Sequence, residues 1–461
     1  MPSGGTTLPQ PPLLPGEPAL PGGPALPGEP ASPGEPDEPD EPGDAEDVPA
    51  DLDRLLRPLF RSAGPDGGVA VVVIRGEERT VACRGQSDHP GRHPVRADTR
   101  FELGSVTKTF TGLLLAEMAA RGEVRYDDPI DRYLPANAVP GYPHERPITL
   151  LHLATHTSGL PRLPVGLRPA AAPRWFTRPC ATFGPTHLLG ALPRTPVRGT
   201  PGTQVRYSNL GCGLLGLLLA NAAGQRYDDL LAARVCGPLG LVDTSCGPGR
   251  EDVGGYRRGG RVPSFRLPAL PGASAVRSTA DDMLRYLQAH LSLDAVPLPE
   301  RADPAVLRTA LAEVRRPRVG RHRGGTRLCL GWNQRGVGGD VGEPGDDGAV
   351  GAAGEPAERE GAVELVFHAG STRGFSAFVG FSPRAQVGLA VLAGAWSGVR
   401  VLHDRGFVQG AYETLRTLAA QRGTAAGSAA GPEAGSVVGP AAGPAAGSAA
   451  GSVVGSAPAA G

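Results

Sequence analysis

Phe101-Glu102-Leu103-Gly104-Ser105-Val106-Thr107-Lys108-Thr109-Phe110-Thr111-Gly112-Leu113-Leu114-Leu115 is the stretch around which this chain is organised. After Gly104 the apolar residues Phe110, Leu113, Leu114 and Met118 recur at helical spacing, which predicts a helix to about Arg121, stopped by Gly122. Residues three apart share a helix face, so Ser105 and Lys108 fall side by side in its first turn. A serine hydroxyl is a poor nucleophile until a base takes its proton, and a neutral amine can do so. Burial disfavours the ammonium, as does the positive end of a helix. Ser-x-x-Lys at a helix start therefore points to nucleophilic catalysis.

The chain holds 46 Lys plus Arg, and Lys108 is its only lysine. Guanidinium cannot be deprotonated in a protein, whereas an ammonium can. A single lysine in an arginine-using chain thus reads as the position where Arg would not serve. A stray lysine beside a serine is the bland alternative, and two further motifs weigh against it.

Composition bounds the rest. The 461 residues include 68 Gly and 49 Pro, concentrated towards the ends. Residues 1–50 repeat Pro-Gly-Glu-Pro units and then turn acidic, and residues 421–461 repeat Ala, Gly and Ser, so both are expected to be disordered tails. Between them, residues 51–420 form one domain with enough apolar content for a core, and a Gly-rich acidic insertion at 336–361 is expected to be a disordered loop. Net charge is zero, so no global field attracts nucleic acid or an anionic membrane. No apolar run reaches membrane-spanning length, and no basic-then-apolar leader is seen, which gives a cytoplasmic expectation. The six cysteines form no CxxC pair, and Cys212 in an apolar helical run reads as core. His152 and His156 stand at i, i+4, but no carboxylate is arranged with them as in a zinc hydrolase, so structural hydrogen bonding is the better reading and no metal is expected.

Periodicity predicts helices at 52–60, 150–155, 186–192, 210–223, 227–235, 279–290, 304–315 and 399–418. Strands are expected at 68–74, 80–85, 326–333, 363–368, 376–382 and 387–393, the last two joined by a turn at Pro383-Arg384-Ala385. Thr149 and Asn209 read as helix caps, as does Ser278 or Thr279. Residues 161–184 read as an irregular loop with Trp175 and Phe176 as pocket-wall aromatics.

Three motifs follow one another: Ser105-x-x-Lys108, Tyr207-Ser208-Asn209 and His368-Ala369-Gly370. Together with Phe101-Glu102-Leu103-Gly104, the segment from Ile148 to Pro161 and Leu330-Gly331-Trp332, they make residues 55–418 resemble the serine β-lactamase and penicillin-binding-protein superfamily, in its class C and esterase-like branch. The resemblance implies an α/β (α+β) fold, with a central antiparallel sheet flanked by helices, plus a helical subdomain. It implies that Ser105 is acylated, that Lys108 and Tyr207 share the proton work as a coupled unit, and that Asn209 orients Lys108 and a substrate amide. The backbone N–H groups of Ser105 and Ser371, beside Gly370, would form the oxyanion hole. His368 stands where relatives commonly carry Lys, and Ala369 where a Thr is frequent, which removes a fixed positive charge. Arg373 is positioned to restore part of it. No cofactor is implied.

The expected function is a serine hydrolase acting through an acyl-enzyme on an ester, amide or peptide, with a small-molecule or peptide substrate as its partner. One alternative is a true class C β-lactamase or D-alanyl-D-alanine carboxypeptidase. Another is a non-catalytic acyl-binding sensor of the same fold.

Overall fold

A computed structural model describes residues 48–429 except 62–66, 87–92, 142–145, 168–179, 248–252, 258–259, 322–324, 337–346, 352–362 and 397–405. Of the tails expected at 1–50 and 421–461, residues 1–47 and 430–461 lie outside the described residues, as do Trp175 and Phe176.

The frame is a ten-stranded sheet in which every neighbouring pair runs antiparallel. Its strands are β1 (Val69–Arg75), β2 (Glu78–Arg84), β3 (Gln204–Arg206), β4 (Val319–Arg321), β5 (Arg327–Leu328), β6 (Asn333–Gly336), β7 (Asp347–Gly351), β8 (Glu364–Ser371), β9 (Ser376–Ser382) and β10 (Val387–Ala393). Their order across the sheet is β2-β1-β10-β9-β8-β6-β5-β4-β7-β3. One side of the sheet is built from the two ends of the domain: Val69 pairs with Ala393 and Arg75 with Val387.

Why β1 is an unbroken apolar run follows from its position. Successive side chains of a strand point to opposite faces. Val69, Val71 and Val73 pack with helices α1 (Ala50–Arg61) and α7 (Gly406–Ala429) on one face. Ala70, Val72 and Ile74 pack into the larger core on the other face. That larger core is built with α2 (Thr107–Ala120), α3 (Leu150–Ala154), α4 (Asn209–Ala223), α5 (Ala280–Leu291) and α6 (Pro304–Arg315). A strand covered on both faces has no polar side, so no alternation survives in its sequence. Mixed helix and sheet, with an antiparallel centre flanked by helices, is the architecture the motifs implied.

Several expectations need correction. The strand expected at 326–333 is two short strands, β5 and β6, separated by a turn at Gly331 with φ 73°. A Cβ on Gly331 would lie 2.2 Å from the Lys108 carbonyl oxygen, so the turn and its glycine serve close packing on α2. The cap of α4 is Ser208, not Asn209: Ser208 is extended, and its Oγ accepts the Gly211 N–H at 2.8 Å while donating to the Pro161 carbonyl at 2.7 Å. Thr149 and Thr279 do cap α3 and α5. Within the insertion expected to be a disordered loop, Asp347–Gly351 is a strand paired with β4 and β3. The last helix is described over Gly406–Ala429, so it runs past 418 into the expected tail, and its expected start at 399–405 lies outside the described residues.

Candidate active site

Ser105 does not lie in the α-helix proper. It sits in a 3-10 turn, Gly104–Val106, that leads into α2. The turn's entry is held by a buried ion pair: Arg277 donates to Glu102 at 3.2 Å, and Glu102 also accepts from the Ser264 hydroxyl and the Phe265 N–H. Phe101–Glu102 pairs antiparallel with Arg277–Ser278 at the same place. Pairing a buried carboxylate with a guanidinium and two further donors offsets the cost of desolvating it.

Lys108, three residues on, and Tyr207, from a distant part of the chain, meet at Ser105. Its Oγ lies 2.7 Å from the Tyr207 hydroxyl and accepts from Lys108 Nζ at 2.9 Å. Lys108 is 1 % exposed. Its ammonium also donates to the Ala273 carbonyl at 3.0 Å and lies 5.0 Å from the centre of the Tyr207 ring. Tyr207 precedes the Ser208 cap, so it leaves the chain just before α4 starts, aimed towards the head of α2.

The segment carrying Ala273 is pinned to α2 by a ladder of polar contacts. Thr111 Oγ1 donates to Gly272 O at 2.7 Å, Thr107 Oγ1 accepts the Val276 N–H at 3.1 Å, and the Leu103 N–H reaches Val276 O. Gly272 in turn lies 3.0 Å, measured from a notional Cβ, from Gly216 of α4. Helix α2, which bears Lys108, and helix α4, which Tyr207 precedes, are thus locked through one short segment. Sequence reasoning did not find Ala273. A main-chain carbonyl leaves no residue-type signal, and only the spacing of small residues at 271–274 marks a close approach.

The third motif occupies the end of β8. A Cβ on Gly370 would come within 2.1 Å of Leu103 O and 2.9 Å of the Ser105 nitrogen, and one on Gly104 (φ 53°) within 2.8 Å of the Ser371 nitrogen. Two glycines therefore let the strand's main chain lie flush against the serine's own turn. Ser371 is exposed at the strand end, and Arg373 follows in the turn to β9. His368 is buried; burial first, then the charge of Lys108, push its imidazole down to about 3, so it is neutral at pH 7. Its Nδ1 is buried without a hydrogen-bond partner among the described residues.

Asn209 makes no hydrogen bond to Lys108. Its Oδ1 is buried with no hydrogen-bond partner among the described residues, and Lys108 donates instead to Ser105 and Ala273. The Asn209 main chain donates to the Arg162 carbonyl at 3.1 Å, and the Arg162 guanidinium lies 5.3 Å from the centre of the Tyr207 ring. His152 and His156 make separate structural contacts. Nδ1 of His152 accepts the Thr149 N–H and Nδ1 of His156 the Ser208 N–H, both at 3.2 Å. Among the described residues no cluster of three His, Cys, Asp or Glu is placed to hold a metal ion, and no helix is long and apolar enough to cross a membrane.

A nucleophile, a buried lysine, a phenol within hydrogen-bond reach and a glycine-lined main-chain edge make an arrangement fit for acyl transfer. A family model described as Beta-lactamase matches residues 52–410. The D-alanyl-D-alanine-carboxypeptidase/endopeptidase AmpH of Escherichia coli K12 is 33 % identical over 266 residues, which are 55 % of this chain and 64 % of AmpH. The match thus spans less than two thirds of that relative. A beta-lactamase of the same strain is 32 % identical over 352 residues, 74 % of this chain and 87 % of that protein. Esterase EstB of Burkholderia gladioli is 29 % identical over 307 residues, 59 % and 75 % of the two chains. With the family model spanning the sheet, Ser105, Tyr207 and His368, this chain belongs to the beta-lactamase family.

Proposed function

We propose that the chain is a serine hydrolase that works through an acyl-enzyme at Ser105 on a small-molecule or peptide substrate carrying an ester or amide. The observation that carries this reading is the placement of Ser105 Oγ 2.7 Å from the Tyr207 hydroxyl and 2.9 Å from Lys108 Nζ. In the first step the Ser105 proton passes to the coupled Lys108–Tyr207 pair as Oγ bonds to the carbonyl carbon. The oxyanion that forms is met by the N–H groups of Ser105 and Ser371, a reading supported by the close approach at Gly104 and Gly370. Preorganised donors of this kind are worth about 3 kcal/mol each in the transition state. Collapse breaks the bond to the leaving alcohol or amine, which takes the proton from the pair. Water, deprotonated by the same pair, then attacks the acyl-enzyme and frees the acid and the serine.

A neutral, buried His368 and the methyl of Ala369 put neither a fixed cation nor a hydroxyl at the two strand positions where relatives commonly carry Lys and Thr, and Arg373 beyond the strand restores only part of the charge. That favours ester over β-lactam turnover. The relatives named beta-lactamase and carboxypeptidase support the second reading, hydrolysis of β-lactams or D-alanyl peptides. A panel of p-nitrophenyl esters and nitrocefin, run on the wild type and Ser105→Ala, separates them. Ester turnover that disappears in Ser105→Ala supports the first reading. Nitrocefin turnover at least as efficient as ester turnover selects the second. Stoichiometric acylation of Ser105 without turnover overturns both and leaves a sensor.

A further inference from the structure

We infer that His156 is a positioning residue for Tyr207: it ties the main chain on both sides of the tyrosine and backs its ring, fixing the phenol against Ser105. The inference rests on Tyr207 being the partner of Ser105 in the proposed reaction. His156 lies two residues after the end of α3 and is 8 % exposed, so it is part of the site's inner wall. Its carbonyl accepts the Arg206 N–H at 2.7 Å, and its Nδ1 accepts the Ser208 N–H at 3.2 Å. One residue therefore holds the N–H groups of the residues on either side of Tyr207. Its imidazole also packs on the Tyr207 ring, with centroids 4.5 Å apart and planes tilted by 43°.

The chemistry of the contact requires a particular side chain. A ring nitrogen that accepts an N–H carries no proton, so the imidazole is neutral with its hydrogen on Nε2. Cys212 Sγ lies 3.8 Å from the same Nδ1, and the thiol donates to the Leu153 carbonyl at 3.6 Å, so it leaves the nitrogen available to Ser208. The backbone of His156 is left-handed, with φ 59°. Among residues with a side chain, Asn, Asp and His are those most often found there. A strained backbone whose side chain turns back onto the catalytic strand end is the pattern of an over-determined functional position. Tyr207 has no helix of its own to hold it, because it precedes the cap of α4, and His156 supplies that hold.

Three variants separate the parts of this role: His156→Asn keeps an acceptor and tolerates the left-handed backbone, His156→Phe keeps the ring without the acceptor, and His156→Ala keeps neither. Each is assayed for kcat and KM on a p-nitrophenyl ester, for the rate of Ser105 labelling by a fluorophosphonate, and for Tm. A 1 Å misplacement of a catalytic group costs about 100-fold, so His156→Phe and His156→Ala are expected to lose about 10- to 100-fold in kcat and in labelling rate, with KM within about threefold. His156→Asn is expected to recover to within about fivefold of wild type, the factor one neutral hydrogen bond is worth. Wild-type activity in His156→Phe, or a loss in His156→Asn as deep as in His156→Ala, overturns the inference, as does a rise in KM with kcat unchanged. If His156→Ala fails to fold, the comparison of Asn with Phe decides. Failure of the hydrolase reading is seen separately, as absence of wild-type ester turnover, while the labelling rates still rank the variants.

Discussion

Lys108 Nζ donates to the Ala273 carbonyl at 3.0 Å while standing 2.9 Å from Ser105 Oγ, so a main-chain oxygen aims the amine at the nucleophile. The contact fixes Lys108 without a carboxylate, which would hold the proton too firmly. Replacing it by the chain's usual basic residue tests the point. Lys108→Arg keeps the charge and loses the ability to give up a proton. Ester kcat is expected to fall about 10²- to 10⁴-fold, the span of general acid–base catalysis. Full activity in Lys108→Arg would show that the amine moves no proton.

Tyr207→Phe keeps the ring packed on His156 and beneath the Lys108 ammonium, and removes only the hydroxyl 2.7 Å from Ser105. The expected result is a loss of about 10²-fold or more in kcat with little change in Tm, measured by steady-state kinetics and calorimetry. A pre-steady-state burst that survives while turnover stops would assign the phenol chiefly to deacylation.

Gly370→Ala should act on the oxyanion side alone. The new methyl would meet Leu103 O at 2.1 Å and the Ser105 nitrogen at 2.9 Å, so β8 must move away from the serine's turn. Losing one donor costs about 10²- to 10³-fold in kcat. Ester kinetics with an unchanged far-ultraviolet spectrum check it, and activity within tenfold of wild type contradicts the strand's assigned place.

Acid sensitivity is built into the core at His290. Its ring is enclosed by Tyr286, Trp332 and Phe381, at centroid distances of 4.6, 5.1 and 4.9 Å. Neither nitrogen has a hydrogen-bond partner among the described residues. Burial, with the charge of Arg315 adding to it, pushes the group down from 6.5 to about 3. The unfolded chain then binds a proton between pH 6.5 and 3 that the folded protein refuses. Stability is therefore full above that window and falls with acidification, by about 1.4 kcal/mol per pH unit for one such histidine. His368 titrates over the same window and doubles the slope. His290→Leu should remove its share, sparing about 2 kcal/mol of the loss between pH 7 and pH 5 in denaturant titrations. An unchanged slope would refute the assignment.

What could be read without a structure was whatever announces itself through residue type. Ser105, Lys108 and Tyr207 carry reactive groups at a telling spacing, and α6 (Pro304–Arg315) bears an Asp303 cap, a Pro first turn and a clear apolar stripe. Features decided by distant main chain were missed. Ala273 acts through its carbonyl, and Gly331 breaks a strand because Lys108 O lies against it. Asp347–Gly351 has a glycine-rich, weakly strand-forming sequence, and becomes β7 by pairing with Arg206 and Arg321, residues far off in the chain. Ser208 and Asn209 are both good caps, and what selects Ser208 is the Pro161 carbonyl, supplied by another segment.

The pairing of β1 with β10 also sets the order in which the molecule can be made. Val69 finds its partner only when Ala393 has been synthesised, roughly 320 residues later. At ribosomal rates of about 5–20 residues per second, that leaves an apolar, β-branched strand half-paired for about 15–65 s. Only the hairpin with β2 forms early, and one edge of β1 stays open to other chains meanwhile. The nascent protein thus has a long interval in which a chaperone, or a slow rate of synthesis, decides its yield, although the finished sheet buries every residue of that strand but Arg75.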